Sequence, residues 1–288
     1  MKVFITGGSG YLGQAVIRAL TAHGHTVSGL ARSDAADRTV SALGAEVVRG
    51  GLTDLDILRK AADDADGVIN LAQHQGPEVA EIGLAAATAM LDGAGDRPYV
   101  HTSGTWVYGD TTGVADEDSP AAPPALVSWL PGSDAQVLAR AGQGGRPVLV
   151  MPGVVYGGGR GLIEEFYAKP ARRDGEVRYI GTGSNRWAVV HVDDVAELYV
   201  LALGAEPGRK YLAAADQAPT VLEIARAVAE ANGIPGKVAS ITLEQAYEQM
   251  GPLADAFALD QQVTSARARA ELGWRPAARD VLAELAGA

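Results

Sequence analysis

Thr6-Gly7-Gly8-Ser9-Gly10-Tyr11-Leu12-Gly13 follows an apolar run, Lys2 to Thr6, and leads into an apolar-periodic stretch from Leu12 to about His23. A strand that turns through glycines into a helix is the layout of a phosphate-binding turn. Glycine serves there in three ways: it adopts the positive φ of a tight turn, leaves no Cβ in the path of a pyrophosphate, and lets helix lie close on strand. The helix N-terminus adds free N–H groups and the positive end of its dipole. Gly8-x-Gly10-x-x-Gly13 fits the general dinucleotide pattern, and Gly7-x-x-Gly10-x-x-Gly13 fits the variant with one extra residue. On this reading Gly7, Gly10, Tyr11, Leu12 and Gly13 bind a dinucleotide.

Outward from the turn, strand-like runs are expected at Lys2–Thr6, Thr26–Ala31, Ala45–Arg49, Gly67–Ala72, Tyr99–Ser103 and Pro147–Met151. Helical stretches are expected between them, near 12–23, 34–43, 54–64, 78–93 and 132–143. This alternation predicts an α/β fold with a Rossmann-type, doubly wound parallel sheet. After Met151 the rhythm changes. Gly157-Gly158-Gly159 interrupts the chain, and shorter strands near 177–180, 187–191 and 209–213 alternate with helices near 192–204 and 219–232. The expected division is a dinucleotide-binding domain of residues 1–156 plus about 187–213, with a smaller, discontinuous substrate domain of about 157–186 and 214–288. The Pro- and Gly-rich stretch from Ser119 to Gly132 reads as a loop or lid.

Composition narrows the partners. The 288 residues carry 24 Lys and Arg against 35 Asp and Glu, a net charge of −11, so there is no basic field to hold nucleic acid or an anionic membrane. The absence of cysteine excludes disulfides, thiolate metal sites and a cysteine nucleophile, and no metal site is expected elsewhere. No leader-like segment or membrane-length apolar run is visible. The expectation is a cytoplasmic monomer or homodimer acting on a small molecule.

The end of the second strand reports on the dinucleotide. An NAD-preferring site places Asp or Glu there to accept from the ribose 2′-OH. Here the stretch is Leu30-Ala31-Arg32-Ser33, with no carboxylate. Arg32 can fork onto a 2′-phosphate and Ser33 can donate a second hydrogen bond, which points to NADP(H). The competing reading pairs Arg32 with Asp34 or Asp37 on the surface.

Together, Thr6 to Gly13, Asp66-Gly67-Val68-Ile69-Asn70-Leu71-Ala72, Thr102-Ser103 with Val107-Tyr108-Gly109-Asp110, Pro152-Gly153-Val154-Val155-Tyr156-Gly157, His191-Val192-Asp193-Asp194 and Leu272-Gly273-Trp274-Arg275-Pro276 resemble the extended short-chain dehydrogenase/reductases. The resemblance is in order and spans nearly the whole chain. It implies that Leu71, Ala72 and Gln73 flank the two riboses, and that Thr102 and Pro152, Gly153, Val154 and Val155 line the nicotinamide. His191-Val192-Asp193-Asp194 reads as a helix cap rather than a metal site.

The departure from the family is equally informative. Its chemistry rests on a serine or threonine, a tyrosine, and a lysine four residues after that tyrosine. None of the nine tyrosines here has a lysine at that spacing, and no lysine lies between Lys60 and Lys169. The helix that should carry the pair reads Trp129-Leu130-Pro131-Gly132-Ser133-Asp134-Ala135-Gln136. Alignment on Val107-Tyr108-Gly109 puts Gly104 at the usual serine, between Ser103 and Thr105. Within the atypical subgroup that lacks the dyad, the pattern is most similar to ketoreductases that tailor aromatic polyketides, such as the angucyclinone ketoreductase type of simocyclinone biosynthesis.

Three functions follow from these residues. The preferred one is an NADPH-dependent ketoreductase acting on a bulky, flat ketone; the resemblance implies that Trp106, Trp129, Trp187 and Phe257 lie around the cleft as apolar walls, the competing reading of each being core. A nucleotide-sugar epimerase or dehydratase is the second, prompted by Gly181 to Arg186, where Arg186 could meet a diphosphate. A cofactor sensor without turnover is the third. For the reductase, Ser103, Thr105 and Tyr108 are the candidate catalytic residues, orienting rather than acidic, with Tyr156 and His74 as further possibilities. With no activated tyrosine, the proton is expected from water or from an acidic group on the substrate.

Overall fold

The structure, a computed structural model, describes residues 1–215, 217–277 and 279–287. The strands are β1 (Lys2–Thr6), β2 (Thr26–Ala31), β3 (Glu46–Arg49), β4 (Gly67–Asn70), β5 (Pro98–Thr102), β6 (Val114–Ala115), β7 (Arg146–Pro152), β8 (Val154–Tyr156), β9 (Val177–Ile180), β10 (Val189–His191), β11 (Lys210–Ala213), β12 (Val238–Ile241) and β13 (Gln262–Val263). The helices are α1 (Tyr11–Ala22), α2 (Asp34–Ala42), α3 (Leu55–Asp63), α4 (Val79–Ala94), α5 (Leu130–Ala139), α6 (Lys169–Asp174), α7 (Val192–Ala202), α8 (Val221–Ala231), α9 (Leu243–Met250), α10 (Leu253–Ala258), α11 (Ala266–Leu272) and α12 (Val281–Leu285).

Seven strands form one parallel sheet in the order β11-β7-β5-β4-β1-β2-β3. The chain runs outward from β1 through β2 and β3, then returns to β4 on the other side of β1. That reversal parts the loops at the carboxyl ends of β1 and β4, the place where open parallel sheets bind ligands. Strand β1 shows why the sheet must be covered twice. Val3 and Ile5 enter the cluster formed with α1 and α7, while Phe4 between them enters the cluster with α3, α4 and α5, and all three are fully buried.

A third apolar cluster gathers Val154, Tyr156, Tyr167, Trp187, Val189, Ile224 and Phe257. The Trp187 and Phe257 ring centroids are 4.8 Å apart, and the Trp187 indole N–H donates to the Phe257 carbonyl at 3.1 Å. Three two-stranded parallel ribbons, β10-β8, β12-β9 and β13-β6, and an isolated antiparallel bridge between Arg186 and Thr220 complete the pairing among the described residues. No helix of the described residues is long and apolar enough to cross a membrane.

The sheet strands fall where their apolar runs predict, with local adjustments. Strand β4 ends at Asn70, two residues early, because the Ala72 N–H leaves the ladder and donates to Thr6 Oγ1 at 3.1 Å. Helix α5 starts at Leu130 instead of 132, since Pro131 sits in its first turn, where a missing N–H has no consequence.

Candidate functional site

The turn between β1 and α1 is built on backbone. Gly7 has φ +73°, and the Gly10 N–H donates to the Gly7 carbonyl at 2.9 Å. A Cβ on Gly13 would lie 2.1 Å from the Gly7 oxygen, so only glycine lets α1 approach this closely. A Cβ on Gly10 would meet only that oxygen, at 3.2 Å, and otherwise faces open space. Gly10 caps α1 without a side-chain acceptor, and no acidic residue occupies the first turn. The first N–H groups and the positive dipole end are thus left for an external anion. The cradle has the shape and polarity a dinucleotide pyrophosphate requires.

At the end of β2, Asp34 and Asp37 are both engaged by Arg49, with Arg49 Nε 3.1 Å from Asp37. Arg32 is exposed and pairs with neither. The surface-pair reading is thereby removed, and Arg32 is exposed directly after β2. Ser33 has a second duty that the sequence reading did not assign, capping α2 by accepting from the Ala36 N–H at 3.3 Å.

A cleft of about 390 Å³ opens at the carboxyl ends of β1, β4, β5 and β7. It brings together Tyr11, Leu12, Leu71, Ala72, Gln73, Thr102, Ser103, Thr105, Pro152, Gly153, Val154 and Val155, along with Trp106 and Trp129. Several are fixed by hydrogen bonds from other elements. The Tyr11 hydroxyl donates to the Gly157 carbonyl at 2.7 Å, and Thr102 Oγ1 lies 2.8 Å from the Tyr199 hydroxyl. At the cleft floor, Thr6 Oγ1 donates to Asn70 Oδ1 at 2.6 Å, and Asn70 Nδ2 lies 3.2 Å from both the Tyr99 hydroxyl and His101 Nδ1. Burial pushes the His101 imidazole down to about 4, so it stays neutral within this network.

Other candidates lie elsewhere. Tyr108 is buried with its hydroxyl 3.9 Å from the Met151 sulfur, pointing into the core rather than the cleft. Its aromatic ring fills the space under α5 that the apolar cluster demands, which corrects its assignment as a substrate-orienting residue. Tyr156 packs edge-on against His191 at 5.3 Å, and Trp187 and Phe257 belong to the third core cluster, so none of the three walls the cleft. His74 is also absent from the lining. The Arg186 guanidinium donates to the Ala218 carbonyl at 2.7 Å, away from the cleft. His191 is the N-cap of α7, accepting from the Asp193 N–H at 3.2 Å. Thr105 lines the cleft but is 2 % exposed, its hydroxyl directed 3.4 Å toward Gln261 Oε1.

One residue that sequence reasoning passed over stands behind the lining residue Ser103. Asp134, on α5, is 7 % exposed and accepts from the Ser103 hydroxyl at 2.6 Å. Its other oxygen, Oδ1, is buried and has no hydrogen-bond partner. Burial raises its carboxyl to about 6, against smaller opposing pulls from the Ser103 hydrogen bond and the Lys210 charge. A lone aspartate on a helix reads as solvated in sequence; only the long-range meeting with Ser103 reveals it.

With this geometry in view, residues 3–214 match the NAD dependent epimerase/dehydratase family. The chain belongs to that family, the extended short-chain dehydrogenase/reductases. An uncharacterised protein of Saccharomyces cerevisiae is 35 % identical over 96 % of this chain and 95 % of its own. A 4-hydroxy-2-methyl-3-oxo-4-farnesyl-3,4-dihydroquinoline-1-oxide ketoreductase of Stigmatella aurantiaca is 28 % identical, covering 85 % of this chain and 78 % of its own. The structure of a Bacillus cereus UDP-glucuronic acid 4-epimerase in complex with UDP-glucuronic acid and NAD superposes with a TM-score of 0.84 at 18 % identity, over 100 % of this chain and 97 % of that one. The α/β Rossmann-like fold and NAD(P)-linked chemistry are common ground of the family.

Proposed function

We propose that this family member is an NADPH-dependent carbonyl reductase acting on a ketone of a bulky, aromatic polyketide-type substrate. The observation that carries the reading is the cleft itself, which runs from Tyr11 and Leu12 at the phosphate turn to the Trp106 and Trp129 wall. Flat apolar surfaces at the far end suit a fused-ring ketone better than a hydroxyl-rich sugar. The ketoreductase named in Stigmatella aurantiaca supports the same direction.

In this reading the turn at Gly7, Gly10 and Gly13 holds the pyrophosphate, and Leu71, Ala72 and Gln73 border the riboses. Arg32 and Ser33 take the 2′-phosphate, while Thr102 and Pro152 to Val155 line the nicotinamide. When bound, reduced nicotinamide supplies a hydride to the ketone carbon. The protein contributes position and dryness: apolar walls orient the carbonyl, and holding two reactants together lowers a barrier by as much as about 7–11 kcal/mol. An epimerase must also remove a proton from its sugar, and no tyrosine of the sequence has a lysine four residues later for that task.

The test is a substrate panel followed by loss of reduced-nicotinamide absorbance. Polycyclic aromatic ketones should support NADPH oxidation, and UDP- or dTDP-sugars should not. Retention of NAD through purification with sugar interconversion would favour the epimerase, and NADP binding with no turnover of any ketone would favour the sensor.

A further inference from the structure

We propose that Ser103 and Asp134 form a proton relay at the cleft wall, in which the Ser103 hydroxyl protonates the nascent alkoxide and Asp134 restores the Ser103 proton. The inference rests on the carbonyl-reductase reading and names the group that reading leaves open.

Position comes first. Ser103 directly follows β5, lines the cleft and is half-buried, and its Oγ lies 2.6 Å from Asp134 Oδ2. Asp134 is carried by α5. Ser133, the preceding residue, also lines the cleft. Asp134 itself is reached from the cleft through the Ser103 hydroxyl.

The second argument is the orphan oxygen. Among the described residues, Asp134 Oδ1 is the one buried side-chain oxygen or nitrogen without a hydrogen-bond partner. A carboxylate kept only for structure would have both oxygens satisfied, because an ionised group with an unpaired oxygen is expensive to bury. A carboxylic acid is a better occupant of this pocket, since it carries no charge and its O–H can donate to Ser103. A buried acid held above its ordinary range beside a cleft is an arrangement that functional sites use.

Charges facing Asp134 are few. Lys210, on β11, favours its ionised form, and the Ser103 hydroxyl does so by its hydrogen bond. The Tyr108 hydroxyl, from the turn after β5, is close enough for the two groups to influence each other electrostatically. Burial outweighs the first two and holds the carboxyl at about 6.

The proton count then closes. The ketone carbon receives a hydride with its electron pair from the reduced nicotinamide, and the carbonyl π pair moves to oxygen. The Ser103 O–H bond breaks and its proton bonds to that oxygen, giving the alcohol. The Asp134 O–H bond breaks in concert, its proton passing to Ser103 Oγ. Asp134 is left as carboxylate and regains a proton from water through Ser103 after the product departs. The relay is loaded only while Asp134 is protonated. In its ionised form Ser103 donates to Asp134 and its proton points away from the substrate.

The experiment has two readouts. Carboxyl-carbon NMR of the apoprotein, with the Asp134 signal identified by its loss in Asp134→Asn, should titrate well above the ordinary aspartate range. Ser103→Ala removes a hydrogen bond that favours the carboxylate, so the midpoint should move higher still. In turnover, wild-type kcat with NADPH and a ketone should fall about tenfold per pH unit above the Asp134 midpoint. Asp134→Asn and Ser103→Ala should each lower kcat at pH near 6 by about 10²–10⁴-fold, with NADPH Kd and ketone KM unchanged, and flatten that limb. Asp134→Glu should restore part of it. If wild type reduces a ketone and Asp134→Asn keeps kcat and the falling limb, the relay is wrong and the reductase reading stands. If no ketone is reduced, the reductase reading falls and the relay with it. A normal aspartate titration, unmoved by Ser103→Ala, refutes the coupled pair on its own.

Discussion

Gly10→Val separates folding from cofactor binding. Gly10 is exposed and sits in extended backbone, φ −75° and ψ 175°, a conformation that a β-branched residue adopts readily. Its added Cβ would meet only the Gly7 carbonyl oxygen at 3.2 Å, so the fold should lose no more than about 1 kcal/mol. The rest of the valine side chain would fill the mouth of the turn. An anion held by two N–H groups there loses two charge-assisted hydrogen bonds at about 1.5–3 kcal/mol each, roughly 10²–10⁴-fold in affinity. Gly13→Ala is the opposite case. Its Cβ would lie 2.1 Å from the Gly7 oxygen and 2.8 Å from the Gly8 Cα. That overlap should cost about 1–3 kcal/mol of stability, at about 2–4 °C in Tm per kcal/mol. Thermal melts by circular dichroism and NADPH titration by fluorescence measure both quantities. A Gly10→Val protein that is folded and binds NADPH undiminished would refute the phosphate cradle.

Other consequences follow from single contacts. Arg32→Asp should reverse the preference from NADPH to NADH, losing about 10- to 150-fold in NADPH affinity, as read by paired titrations; an unchanged preference would remove Arg32 from the site. Trp129→Ala should raise KM for an aromatic ketone by roughly 5- to 30-fold, the value of about 1–2 kcal/mol of apolar contact, and leave NADPH Kd unchanged. Asp134→Asn should stabilise the protein at neutral pH. The folded carboxyl titrates near 6 against an ordinary value of 3.8, so its favourable contribution is complete below the unfolded pKa and fades as pH rises through the folded one. The asparagine variant should therefore gain on the order of 2–3 kcal/mol relative to wild type between pH 4 and pH 7 in denaturant melts, and a pH-independent difference would refute the raised carboxyl.

What was legible in the sequence was what local pattern encodes. The turn from Thr6 to Gly13 and the apolar runs of the central sheet are continuous signals, and the structure keeps them within a residue or two. Strands β6, β8, β12 and β13 were missed because each is two to four residues long and gains its identity from a distant partner, as Val177 pairs with Val238. The short helices α9, α10 and α12 likewise form against the third core cluster, and α11 against the first, rather than from periodicity. Sidedness was the second limit. Trp106 and Trp129 wall the cleft while Trp187 is core, a distinction no composition reveals. Tyr108 stands three residues from the cleft-lining Thr105, yet the turn aims its hydroxyl at Met151. Asp134 was hidden for the same reason, since Ser103 lies 31 residues away.

The central claim is hydride transfer from NADPH to a ketone, and label transfer tests it most directly. NADPH deuterated at the transferable position of the nicotinamide, incubated with the protein and a polycyclic aromatic ketone, should give an alcohol with one deuterium on the carbinol carbon for each NADPH consumed. NADPH recovered with its label intact, or product formed without deuterium at that carbon, would contradict it.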